Sequence, residues 1–89
     1  MGAVEEIAQL PHNVVLYGKP DCHLCHEAEA MLMRLEREYP LSIEKINILE
    51  DRLLETKYRY SIPVIVLNGQ LKLQAPILES ELRAALQRH

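Results

Sequence analysis

The sequence predicts an α/β fold: a four-stranded mixed sheet with strand order 2-1-3-4 and three helices, running β-α-β-α-β-β-α. Three observations carry this. Two unbroken apolar runs, "NVVLY" (13–17) and "PVIVL" (63–67), suit strands covered on both faces. Between residues 22 and 39 the apolar period becomes helical. Asn68-Gly69 separates the second apolar run from the strictly alternating "QLKLQ" (70–74), a strong hairpin signal.

The elements follow in order. Residues 1–12 read as a tail or a short helical turn ending at Pro11, and 13–89 as the single folded domain. Gly18 and Pro20 break the first strand. The first helix spans about 22–39, with Leu24, Ala28, Leu32, Leu35 and Tyr39 on its inner stripe, and Pro40 stops it. "LSIEKINI" (41–48) is a strand whose alternation fails at Glu44-Lys45, which marks a bulge or an edge. "EDRLLETKY" (50–58) opens with acids, as a helix start favours. The last helix, in "ILESELRAALQRH", carries Leu78, Leu82, Ala85 and Leu86 on one stripe, with acids early and Arg88 and His89 late. A helical crossover makes the first two strands parallel and right-handedly joined. The two all-apolar strands belong in the centre of the sheet and the mixed ones at its edges.

Composition narrows the function. The net charge of −3 and the lack of a basic stripe argue against nucleic acid as a partner. The longest apolar stretch, "IPVIVL" (62–67), is too short to cross a bilayer. The first twelve residues lack an apolar signal core, and Glu6 stands where a myristoylation signal needs Ser or Thr. The expectation is a cytoplasmic monomer with no membrane association. In a reducing compartment, two cysteines point to catalysis or metal binding rather than to a permanent bridge.

Those cysteines, Cys22 and Cys25, lie in "GKPDCHLCHEA" (18–28), one helical turn apart. That spacing lets a disulfide close. Cys22 falls at the helix start, where free N–H groups and the dipole favour a thiolate, the reactive form. Cys25, one turn in, is expected to be more buried. An exposed nucleophile and a covered resolver would run thiol–disulfide exchange through a mixed disulfide on Cys22. Two inert core cysteines, or half of a metal site, are the other readings of the same pair. No second CxxC supplies the ligands of a full zinc site, and no metal is expected. His26, four residues after Cys22, either modulates the thiolate or is a solvated helix histidine, while His23 is expected to point away from the sulfurs. Lys19 either adds positive field or is an ordinary loop lysine.

A CxxC between a first strand and a first helix, in this element order, resembles the thioredoxin fold. "YGKPDCHLC" and "YRYSIPVIVLNG" are most similar to glutaredoxins, and "CHLC" with a short tail looks most like the small glutaredoxin-like proteins of bacteria. The resemblance covers residues 13–88. It implies a thiol–disulfide oxidoreductase with Cys22 and Cys25 catalytic. Lys19, Ile62 and Pro63 would contact substrate across a cis Ile62–Pro63 bond; His23 and His26, which flank Cys25, are candidate thiolate modulators from their positions alone. It implies no cofactor beyond the cysteine pair itself, with glutathione as a candidate reductant. Partners would be a disulfide-containing or glutathionylated protein or a small thiol, together with a reductase. Two departures from the family pattern matter, the first for the redox potential and the second for glutathione. His23 and Leu24 replace the family's Pro and aromatic residue, and "QAPILESE" replaces its Gly-Gly and acid. Weak glutathione-dependent activity is the expectation. The alternative is a non-catalytic module of the same fold that uses the pair to hold a metal or a partner.

Overall fold

The computed structural model describes residues 10–88. Its elements are strand β1 (His12–Gly18), helix α1 (His23–Leu35), strand β2 (Leu41–Asn47), a 3-10 turn (Ile48–Glu50), helix α2 (Arg52–Tyr58), strands β3 (Val64–Leu67) and β4 (Leu71–Gln74), and helix α3 (Glu79–Arg88). The tail reading of 1–12 falls largely outside the described residues, except that His12 already belongs to β1. His89 also lies outside them.

The sheet order is β2-β1-β3-β4, as the placement of apolar and mixed strands predicts. β1 runs parallel to β2 and antiparallel to β3, and β3 is antiparallel to β4. Seven consecutive pairs join β1 to β2, from His12↔Leu41 to Gly18↔Asn47, and none is skipped. The broken alternation at Glu44-Lys45 therefore belongs to an edge strand without a bulge. Lys45, on that edge, reaches Glu29 of α1 at 2.8 Å; a lysine on an exposed edge also discourages pairing with another chain.

Helices cover both faces. Val14 and Leu16 of β1 and Ile65 and Leu67 of β3 pack with Ala28, Leu32 and Leu35 of α1 and Leu82, Ala85 and Leu86 of α3. The opposite face holds a smaller cluster of Ile48, Tyr58 and Val64, joined by Tyr17, Leu54, Ile62 and Val66. This division follows from strand alternation, which sends Val64 and Ile65 to opposite faces.

Two inner-stripe expectations are corrected. Leu24 is 51% exposed and Leu78 is 63% exposed. α1 begins at His23, and its inward positions are Cys25, Ala28, Leu32 and Leu35, so the register is set by the cysteine. Leu78 precedes α3 and contributes only its carbonyl, which accepts from the Leu82 N–H at 3.1 Å. α1 also ends at Leu35 rather than Tyr39. The Arg37 and Glu38 N–H groups donate to the carbonyls three residues back, tightening the chain ahead of Pro40, which disfavours helical backbone at Tyr39. The β3–β4 turn has the backbone that Asn-Gly predicts, with φ of 53° at Asn68 and 71° at Gly69.

Candidate active site

The cysteine pair sits where β1 hands over to α1. Gly18, Lys19 and Pro20 turn the chain off the sheet, and Cys22 is the N-cap of α1, in extended backbone (φ −124°, ψ 105°). Its Sγ accepts from the Cys25 N–H at 3.1 Å. One of the four helix-start donors is thus satisfied by sulfur, the role a Ser or Asp oxygen fills at other caps. Its carbonyl accepts from the His26 N–H at 3.1 Å. The two sulfurs lie at disulfide distance, with Cα atoms 5.1 Å apart. Cys22 is half-buried and Cys25 is 5% exposed. The asymmetry expected of an outer and an inner thiol is present.

Gly18 underlies the inner sulfur. A Cβ at that position would lie 2.9 Å from Cys25 Sγ and 3.1 Å from its Cβ. Only glycine lets the end of β1 pass this close beneath Cys25. The sequence marked Gly18 as a strand breaker, and nothing in it signalled this contact.

The other candidate residues fall on two flanks of α1. On the β2 side, a cavity of about 360 Å³ is lined by Cys25, Gly18, Lys19, His26, Lys45 and Glu50, among others. Lys19 and His26 thus share this cavity with Cys25. On the other flank, a cleft of about 120 Å³ lies among Leu24, Met31, Pro63, Ala75, Pro76 and Ile77. Exposed Leu24, the second of the two residues between the cysteines, therefore forms a wall with Pro63. His23 joins neither group; its Nε2 meets Glu27 Oε2 at 2.9 Å on the exposed face of the helix.

The Ile62–Pro63 bond is cis, as the resemblance implies, and so is Ala75–Pro76, which the sequence did not signal. The Ile62 N–H donates to the Tyr58 carbonyl at 3.1 Å, and the Ser61 N–H donates to the same oxygen at 2.8 Å. The Pro63 carbonyl accepts from the Ala75 N–H at 3.1 Å. Among the described residues, the Ile62 carbonyl accepts no backbone N–H. The Ile62 side chain packs into the cluster with Tyr58.

Tyr58 itself was missed as a site feature. Its ring stacks on Tyr17 with centroids 4.8 Å apart. The ammonium groups of Lys72 and Lys57 lie 5.0 and 5.2 Å from the same ring centroid. Lys72, and after it Lys57, holds the Tyr58 phenol below the usual tyrosine range, against the upward effect of burial. No group of three or more His, Cys, Asp or Glu side chains among the described residues is placed to hold a metal ion.

Comparison with known proteins agrees with this geometry. Residues 13–87 match the family described as glutaredoxin-like domain (DUF836). The crystal structure of protein XcR50 from X. campestris is 29% identical, with a TM-score of 0.75 over 85% of this chain and 97% of that one. The solution structure of protein Ne2328 from Nitrosomonas europaea is 30% identical, with a TM-score of 0.74 over 86% of this chain and 93% of that one. A mutant thioredoxin from Halobacterium salinarum, 16% identical, superposes with a TM-score of 0.71 over 99% of this chain and 83% of that one, which shows the fold.

Proposed function

Since the chain belongs to the glutaredoxin-like domain family (DUF836) and carries a thioredoxin-like fold, we propose that it is a thiol–disulfide oxidoreductase with Cys22 as nucleophile and Cys25 as resolving thiol. The observation that carries this reading is the position of Cys22. This half-buried residue is the N-cap of α1, and its sulfur accepts an N–H from Cys25, the residue that must later attack it. Negative charge on that sulfur is stabilised by the hydrogen bond and by the helix end.

The cycle balances as follows. The Cys22 thiolate attacks one sulfur of a substrate disulfide, a Cys22–substrate disulfide forms, and the other substrate sulfur leaves as a thiolate that takes up a proton. Cys25 then loses its proton and attacks Cys22 Sγ. The Cys22–Cys25 bond forms, the substrate's second thiolate leaves, and two electrons have passed to the substrate. Two thiols from a reductase or a small-thiol pool return the pair to its reduced state. The 5.1 Å Cα separation lets the second step proceed with little backbone movement.

Reduced protein treated with a mild oxidant should lose both thiols without forming dimers, and dithiothreitol should restore them. Cys22→Ser should abolish reduction of a disulfide substrate, and Cys25→Ser should accumulate a mixed disulfide visible by mass spectrometry. Accumulation on Cys22→Ser instead would reverse the two roles. Stoichiometric metal that protects both thiols from oxidation would replace the enzyme by a binding module. Turnover with glutathione should be weak, because the stretch ahead of α3 offers Ala75, Pro76 and Ile77 beside Pro63, with no Gly-Gly backbone. We further propose that the protein acts in the cytoplasm as a monomer.

A further inference from the structure

Lys57 near the end of α2 and Lys72 on β4 converge on one aromatic ring, and Arg59 caps α2 two residues after Lys57. Lys57 and Lys72 place their ammonium groups over one Tyr58 ring, and the Arg59 guanidinium lies 5.0 Å from the ring of Tyr60, which is 89% exposed. None of the three makes an ion pair among the described residues, whereas Arg34, Lys45 and Arg83 each do. On a chain of net charge −3, this is a local concentration of uncompensated positive charge. An ammonium held over a ring face keeps N–H donors free to meet an anion. Glu55, one turn earlier on α2, pairs with none of them.

The patch is linked to the cysteine site along the chain at two points. Tyr17, on which Tyr58 stacks, immediately precedes Gly18. Arg59 and Tyr60 lead into the Ile62–Pro63 loop, whose N–H groups at Ser61 and Ile62 hang from the Tyr58 carbonyl. The same two lysines, Lys72 first, hold the Tyr58 phenol below the usual tyrosine range.

We propose that Lys57, Arg59 and Lys72, with Tyr60 as an exposed apolar anchor, dock an acidic segment of the protein whose disulfide is presented to Cys22. One carboxylate of that segment is received between Lys57 and Lys72. The inference rests on the oxidoreductase reading and names the substrate class of that site: disulfides flanked by Asp and Glu. Complementary charge of this kind acts mainly on the rate of encounter and on partner choice.

The test uses three peptides that share one disulfide loop and differ only in acidic, neutral or basic flanks. Reduction by the reduced protein at low ionic strength should favour the acidic over the basic peptide by on the order of tenfold, and 0.5 M salt should shrink the ratio. In Lys57→Gln/Lys72→Gln the ratio should fall toward one. Equal rates for the three peptides, or a preference for the basic one, would overturn the docking surface while leaving the redox reading intact. Uncharged hydroxyethyl disulfide tests the redox reading separately. A second readout needs no chemistry: the acidic peptide with its cysteines replaced by alanine, titrated into the protein, should shift amide NMR signals at 57–60 and 72. Absence of those shifts at millimolar peptide would also overturn the proposal.

Discussion

Gly18 and Cys25 touch so closely that the inner sulfur occupies the space a side chain at residue 18 would need. A Cβ there would sit 2.9 Å from Sγ. Cys25 is buried and, in the oxidised protein, tethered to Cys22, so its sulfur has no free rotamer to retreat to. Gly18→Ala should therefore destabilise the oxidised protein by about 1–3 kcal/mol, the usual cost of overpacking. Urea unfolding of oxidised and reduced forms checks this, and the penalty should be smaller when reduced. An unchanged midpoint in both forms would contradict it.

Asn68 does two jobs at the β3–β4 turn. It adopts φ 53°, and its Oδ1 accepts from the Asn13 N–H at 2.8 Å while Nδ2 lies 3.0 Å from His12 Nδ1. Asn68→Ala loses both the tolerance for left-handed backbone and the tie to β1, and should cost about 1–3 kcal/mol. Asn68→Gly keeps the backbone and loses only the tie, so it should fall between Ala and wild type. Chemical denaturation of the three proteins orders them; Gly as damaging as Ala would mean that the backbone contributes nothing.

Tyr58 sets a dependence on alkaline pH. Its pKa is lowered by Lys72 first and Lys57 second. As pH rises through the folded pKa toward the ordinary tyrosine value, the folded state gives up the proton before the unfolded state does. Stability gains a contribution there that is absent at lower pH. Absorbance titration of tyrosinate should show one tyrosine ionising early, and Lys72→Gln should move it back toward the ordinary value. Tyr58→Phe should lack the alkaline gain. An early tyrosine that ignores the Lys72 change would assign the effect to another cause.

Leu32 and Leu24, two turns apart on α1, should respond in opposite ways. Leu32 is fully buried between helix and sheet, and Leu32→Ala should cost about 2–5 kcal/mol. Leu24→Ala should leave stability within about 0.5 kcal/mol, as exposed positions do, because its side chain opens onto the cleft beside Pro63. Thermal unfolding of both variants decides it.

Much of the fold was legible because its signals are local. Continuous apolar runs located the two central strands, Asn-Gly fixed the hairpin, and the mixed strands went to the edges. The helix register was not legible at α1. Leu24, Ala28 and Leu32 satisfy helical spacing as well as Cys25, Ala28 and Leu32 do, and only the sheet beneath chooses between them. The pair's geometry could be read from its spacing, because an N-cap and an i, i+3 contact are properties of one turn. What surrounds the pair could not. The Gly18 contact, the packing of Ile62 and the convergence of Lys57 and Lys72 on one ring join residues far apart in the chain, and no sequence period encodes them.

The two clusters on either side of the sheet differ in size, and that difference sets an order of release. α2 has seven residues and is anchored chiefly through Tyr58, whereas α1 and α3 share a larger core. Short elements with few buried contacts open first. Amide protons of α2 should exchange with deuterium well ahead of those of α1. Because the Ser61 and Ile62 N–H groups hang from the Tyr58 carbonyl, each such opening also slackens the strap that leads into Pro63, so one wall of the cleft beside Leu24 is fastened to a readily detached helix.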